Sequence, residues 1–498
     1  MKYEFSITRK TKLFRCIKQF IIHHLSFIIL LSSCSIEKQI AKSAKADVLD
    51  AKALQTAHVG ISIFDSETNK YLYNYQGDKY FVPASNIKIP TCYAAMKYLG
   101  DSLVGLRYGY STSFANDNVI VIQPTGDPTF LHEEFKRQPA FNFLKFDKAG
   151  ISWGFLDTIW KDEKWGSGWT WNDYDATYMA ERSSMPVFGN VVNIKLKKAA
   201  DRFLDSSLRR PRYNVFKTQC HFFDSLINSD LSIEANSFYF NGETVASENL
   251  YGRFERQLDR NEFSIKESAN IFSQVNIPFV ANGSQTAKWI IADSLNISFR
   301  NLQPSRTKSK FNGGFGHSVH VENWFKIHSQ PTDSLLKPMM HRSDNFFAEQ
   351  SLLMVSNEKL GVMNDAKIID TILKTDFKDL PQKPRWVDGS GLSRYNLFTP
   401  QDFVVILTKM KNEFGIERIK VVFPTGGEGT ISSYYKTESG FIFAKTGTLS
   451  GVVAFSGFLY TKKGKLLIFS TLVNNHQASA TDVRKAMEKF LQGIRNNY

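Results

Sequence analysis

Residues Phe441-Ile442-Phe443-Ala444-Lys445-Thr446-Gly447-Thr448 run an apolar stretch into a lysine, two hydroxyls and a glycine. An alternating segment, Val452 to Tyr460, follows at once. The pattern predicts an edge strand that offers a cation and hydroxyl donors to an extended ligand, with Gly447 removing a side chain that would block close approach. A lone Lys-Thr-Gly is a weak signal. It gains weight from Ser85-Asn86-Ile87-Lys88 far upstream and Ser343-Asp344-Asn345 between the two.

The surrounding pattern predicts the scaffold. His58 to Phe64 alternates, Ser66-Glu67-Thr68-Asn69 supplies a turn, and Tyr71 to Tyr75 returns. Near the C-terminus, strands are predicted at 441–447, 452–460 and 465–473, then a helix from an N-cap at Thr481 to Ile494. Together these give an α+β domain, a five-stranded antiparallel sheet with helices on its faces. Residues 57–102 and 321–498 belong to it. Between them, 103–320 is expected to be an insertion of two mostly-β subdomains, from short strand-like runs such as Val119 to Ile122, Val191 to Leu196 and Ser237 to Phe240. Ser305 to Gly316 is read as the return linker.

The N-terminus carries a targeting signal. Lys2, Arg9, Lys10, Lys12, Arg15 and Lys18 precede an apolar stretch of 12 residues, Phe20 to Leu31, too short to span a bilayer. Leu31-Ser32-Ser33-Cys34 then resembles a bacterial lipoprotein signal, with Cys34 as the lipidated first residue of an exported chain. Ordinary signal cleavage and an uncleaved anchor are the alternatives. Residues 34–56 are expected to be a tether, helical around Ala44 to Leu54.

Composition agrees with a globular exported protein: 42% hydrophobic, 22% charged and 14% aromatic residues, with no low-complexity tract. The first 33 residues carry six Lys/Arg against one Glu, so removing them takes the net charge from +14 to +9. For an exported chain this points to anionic envelope material or a merely solvated basic surface, not to nucleic acid. Without Cys16 and Cys34, two cysteines remain, Cys92 and Cys220. They form one disulfide or none and lack metal-site spacing; Cys92 reads as a core residue.

Ser-x-x-Lys puts two side chains one helical turn apart on the same face. A serine hydroxyl becomes a nucleophile when a base takes its proton, and a lysine serves as that base once burial or a neighbouring cation lowers its pKa. The spacing alone does not choose, because it recurs at Ser35, Ser305, Ser334, Ser356 and Ser433. Ser85 is singled out by an extended approach, Phe81 to Pro83, and by the apolar helix that follows. Ser-Asp-Asn and Lys-Thr-Gly each occur once, in the order found in penicillin-binding proteins and serine β-lactamases.

On these motifs the chain resembles the class C low-molecular-mass penicillin-binding proteins, the S13 D-alanyl-D-alanine carboxypeptidases/endopeptidases. Smaller matching pieces are Gly126-Asp127-Pro128-Thr129, Gly168-Trp169-Thr170-Trp171, Asp388-Gly389-Ser390-Gly391-Leu392-Ser393 and Gly426-Gly427-Glu428-Gly429-Thr430. The resemblance implies a β-lactamase/transpeptidase-like fold acting on peptidoglycan peptide stems, with β-lactams as covalent inhibitors and no metal or cofactor. It implies Ser85 as nucleophile, Lys88 as base, Ser343 as proton donor to the leaving group and Asn345 as a substrate-amide ligand touching Lys88. Lys445 would be a second cation, and Thr446 and Thr448 would bind the terminal carboxylate. Asp344 would be structural. The alternatives are a β-lactamase or other serine amidase/esterase of the same fold, or a catalytically silent cell-wall-binding lipoprotein. No Glu-x-x-Leu-Asn segment is present to supply a deacylating base.

Overall fold

The computed structural model describes residues 36–114, 117–145, 152–198, 231–235, 251–261, 263–271, 274–304, 318–319 and 321–498. Cys34, Cys220, Ser237 to Phe240 and Ser305 to Gly316 lie outside these residues.

Five strands, β1 (His58–Asp65), β2 (Lys70–Tyr75), β3 (Ile442–Leu449), β4 (Val452–Tyr460) and β5 (Leu466–Asn474), form one antiparallel sheet in the order β3-β4-β5-β1-β2. The first and last segments of the chain meet where β1 pairs with β5, from His58↔Asn474 to Asp65↔Leu467. Inner strands are buried along nearly their whole length because both faces are covered. On one face Phe443, Phe458, Ile468 and Leu472 pack against a helical layer that includes Ile89, Tyr93, Phe347 and Leu407. On the other, Ile61, Ile63, Phe455 and Phe469 meet Val483, Met487 and Phe490 of α3 (Ala480–Asn497).

Two helices of the first layer carry the motifs. A 3₁₀ turn, Ala84–Ile87, leads into α1 (Lys88–Tyr98), which places Pro90 in the first turn, where its missing N–H costs little. α2 (Asn345–Leu360) is capped by Asp344, whose side chain accepts from Phe347 N at 2.9 Å.

Three boundaries depart from the sequence reading. The expected tether is no free linker: residues 36–44 are α-helical, a π turn continues over Lys45–Leu49, and Ile40, Ala44 and Val48 are buried against α3. Its apolar residues recur at helical spacing inside an Ala/Lys-rich segment, which masks them. The cap of α3 is Ser479, not Thr481; its hydroxyl accepts from Asp482 N at 3.1 Å. The sheet of the inserted region extends past residue 320, because Phe325–Pro331 pairs antiparallel with Ser102–Phe114. Its alternation is confined to Phe325-Lys326-Ile327-His328 and gives way to Ser329-Gln330-Pro331, too short a run to mark the strand by itself.

The inserted region holds a mixed five-stranded sheet, ordered Phe299–Asn301, Ser152–Phe155, Asp117–Gln123, Ser102–Phe114, Phe325–Pro331. A three-stranded sheet (Gln274–Pro278, Val191–Lys198, Leu231–Ala235) and a pair (Tyr251–Arg256, Phe263–Ile271) accompany it. Its core, including Leu106, Ile122, Trp153, Phe279 and Ile291, is separate from those of the main sheet.

Phe490 is wholly buried between α3 and the sheet. Phe490→Ala is expected to cost about 3–5 kcal/mol, seen as a lower denaturant midpoint at unchanged slope.

Candidate active site

Three distant segments converge on Lys88. Its Nζ lies 3.1 Å from Ser85 Oγ, 2.7 Å from Asn345 Oδ1 and 2.7 Å from the Ser390 carbonyl oxygen, and the side chain is fully buried. Ser343, at φ +62°, turns just ahead of the Asp344 cap, and its Oγ accepts from Lys445 Nζ at 2.9 Å. Lys445 also donates to the Thr446 carbonyl at 2.7 Å. Ser85, Lys88, Asn345, Ser343 and Lys445 thus form two hydrogen-bonded groups joined through the start of α2.

The turn that carries Ser85 is pinned from below. Asn86 Nδ2 donates to Ser456 Oγ at 2.7 Å, and Val82 exchanges two hydrogen bonds with the Asn474 side chain at 2.8 and 3.0 Å. A Cβ on Gly447 would lie 2.6 Å from Pro83 O and 3.0 Å from Ser85 N. The expectation that this glycine makes room for a ligand is therefore corrected: its bare face makes room for the chain's own Ser85 turn. Thr446 and Thr448 occupy the opposite face. Thr446 Oγ1 donates to Thr430 Oγ1 at 2.7 Å, and Thr448 Oγ1 accepts from Arg484 at 2.5 Å.

The Asp388–Ser393 loop is the third wall. Gly391, at φ +83°, approaches the turn so closely that a Cβ would sit 1.9 Å from the Ala84 carbonyl oxygen. Asp388 organises the loop by accepting from Gly391 N (2.8 Å), Ser393 N (2.7 Å) and Asn396 Nδ2 (2.8 Å), and from Trp169 Nε1 of the inserted region (2.9 Å). Ser390 N donates to Glu349 Oε1 at 2.7 Å. Glu349 is buried with Arg182, whose guanidinium also reaches Asp365 (2.6 Å) and Asp162 (2.9 Å).

Electrostatics follow from this burial. Loss of water pushes the Lys88 amine down to about 8, while Asp388, Asp344 and Glu349 pull the other way. Lys445 is driven well below the usual lysine range, first by burial and then by the charge on Lys88. Burial thus pushes both lysines toward the neutral form, while the carboxylates beside Lys88 oppose that push. Burial, with the charge of Asp388 acting the same way and Arg182 opposing, raises Glu349 to about 7. Among the described residues no three His, Cys, Asp or Glu side chains are grouped to hold a metal ion.

The sequence reading missed Glu349, Arg182 and Arg484, and took the Asp388 loop only as a familiar piece. A signal for Glu349 existed: it stands one turn after Asn345, between the apolar runs Phe346–Ala348 and Leu352–Val355, where an acid must have buried partners.

The family model described as D-Ala-D-Ala carboxypeptidase 3 (S13) matches residues 40–214 and 320–494. The chain belongs to that family. This S13 chain is 24% identical over 485 residues to D-alanyl-D-alanine carboxypeptidase DacB of Haemophilus influenzae, covering 90% of this chain and 92% of that one. It is 23% identical to the D-alanyl-D-alanine carboxypeptidase of Actinomadura sp. strain R39, covering 87% and 80%. The crystal structure of penicillin binding protein 4 from Haemophilus influenzae superposes with a TM-score of 0.64 at 20% identity, over 91% of this chain and 98% of that one. The likeness bears out the β-lactamase/transpeptidase-like α+β fold.

Adding the Gly447 methyl forces β3 off the Ser85 turn. Gly447→Ala is expected to slow acylation of the protein by a β-lactam probe about 100-fold; acylation at the unaltered rate would show that the strand does not set the serine's position.

Proposed function

We propose that this S13 chain is a serine D-alanyl-D-alanine carboxypeptidase/endopeptidase acting on peptidoglycan peptide stems and acylated by β-lactams. The observation that carries the reading is the 3.1 Å contact between Ser85 Oγ and a fully buried Lys88 amine depressed to about 8. In the neutral form that amine takes the Ser85 proton as Oγ attacks the penultimate D-alanine carbonyl. The amides of Ser85 and Thr448 receive the developing oxyanion, a role supported by the close approach of Gly447 to Ser85 N. Ser343, coupled to Lys445, passes a proton to the departing amine as the peptide bond breaks, leaving an acyl-Ser85 that water hydrolyses. Asn345 holds a substrate amide, and Thr446 and Thr448 the terminal carboxylate.

The terminal carboxylate has a second effect in this reading. An anion beside Thr446 draws charge toward Lys445, which frees Lys88 to act as base.

The β-lactamase alternative is disfavoured by where the acids go. Asp344 caps α2, Glu349 is engaged by Ser390 N and Arg182, and Asp388 is consumed by its own loop. None of these is free to act beside Lys88 as the additional base that fast hydrolysis of a penicilloyl ester needs. A silent binding protein would not need a lysine held dry beside a serine.

In the same reading, a catalytic domain split around the inserted region works in the cell envelope. The chain is exported, with Cys34 lipidated as a membrane anchor. Among the described residues no helix is long and apolar enough to cross a membrane.

Fluorescent penicillin is expected to label the native protein once per chain and to leave Ser85→Ala unlabelled. The labelling rate rises with pH to a plateau, with its midpoint near 8, because Lys88 is protonated below that point and neutral above it. Retained label in Ser85→Ala would sink the assignment. Cys34→Ser is expected to move the protein from the membrane to the soluble fraction in cell fractionation.

A further inference from the structure

We propose that Arg484 is a specificity-determining residue that reads the free α-carboxylate at the end of the peptide substrate; this rests on the carboxypeptidase reading above. Thr446 and Thr448, two residues apart on β3, share the face that α3 covers, together with Ile442 and Ala444. Val483 and Met487 of α3 are buried beneath that face. The intervening Arg484 reaches along it to the exposed end of the strand, where Nη2 donates to Thr448 Oγ1 at 2.5 Å. Its guanidinium lies 5.8 Å from the Tyr434 ring centre, which supports the long side chain from behind.

Two features of this contact suit an incoming anion. A hydroxyl oxygen that already accepts from a cation turns its own proton outward, so Thr448 becomes a polarised donor facing away from Arg484. The guanidinium keeps further N–H groups in the planar fork that matches a carboxylate. It is also uncompensated. Arg107, Arg182, Arg342 and Arg418 each sit on a carboxylate, whereas among the described residues no carboxylate pairs with Arg484. Arg394, another cation near this end of the sheet, donates to the Ser450 carbonyl at 2.9 Å. A single negative charge at Thr446 and Thr448 would complete the arrangement, and the substrate end that supplies it is a terminal carboxylate.

The test uses the processed full-length protein as wild type, Arg484→Ala and Arg484→Lys, with matched peptides ending in D-Ala-D-Ala as the free acid or the carboxamide. Release of the terminal residue is followed, and kcat/KM is compared within each variant. Arg484→Ala is expected to reduce the preference for acid over amide on the order of 10- to 100-fold, and Arg484→Lys to restore part of it. Matching thermal melting curves separate this from misfolding, and the ratio within one variant cancels any loss of active protein. An unchanged acid-to-amide ratio in Arg484→Ala overturns the inference and leaves the parent reading intact. Wild-type protein that neither cleaves the acid peptide nor is labelled at Ser85 overturns the parent reading, and this one with it.

Discussion

An ammonium group with no access to water must find every hydrogen-bond partner within the protein. Lys88 finds them in Ser85 Oγ, Asn345 Oδ1 and the Ser390 carbonyl, one from its own turn and two from segments 257 and 302 residues further along the chain. A buried lysine with a missing partner is costly in either charge state, since a bare amine also loses its hydration. Hence the positions of the Ser85 turn, the start of α2 and the Asp388 loop are not independent. The dryness that lowers the amine's pKa, so that a neutral base can form beside the serine, also holds the segments around it.

The inserted region shares in this arrangement instead of riding on it. Tyr178 O accepts from Asn345 Nδ2 at 3.0 Å, Trp169 bonds to Asp388, and Arg182 balances the charge of Glu349, which in turn holds the Ser390 amide. Gln350 on α2 donates to the carbonyls of Gly126 and Ser183, both at 2.9 Å. Breaking a buried ion pair costs about 3–5 kcal/mol, so the anchorage is of a size comparable with the whole stability of many domains. The long separation of Ser85 from Ser343 is therefore occupied by structure that the site depends on.

What could be seen in the sequence was what repeats locally. Strong apolar alternation and turn chemistry marked all five strands of the main sheet, and the three short motifs marked most side chains around Lys88. Other features depended on contacts that no local pattern encodes. Phe325–Pro331 is a strand because Ser102–Phe114 lies beside it. Gly447 is bare because the Ser85 turn presses on it, which a reader of the strand alone assigns to a ligand. The balance of charge between the two lysines depends on Asp388, Asp344 and Glu349, whose nearness to Lys88 is a tertiary fact. Cys92 was legible in both respects: it sits in an apolar helix and is wholly buried there.

The helix over residues 36–44 and the π turn after it lie on the sheet face away from α1. Residue 36 thus stands at the back of the molecule, with two layers of packed side chains between it and Ser85. A surface-immobilisation linker attached through the exposed side of that helix would leave the cleft unobstructed.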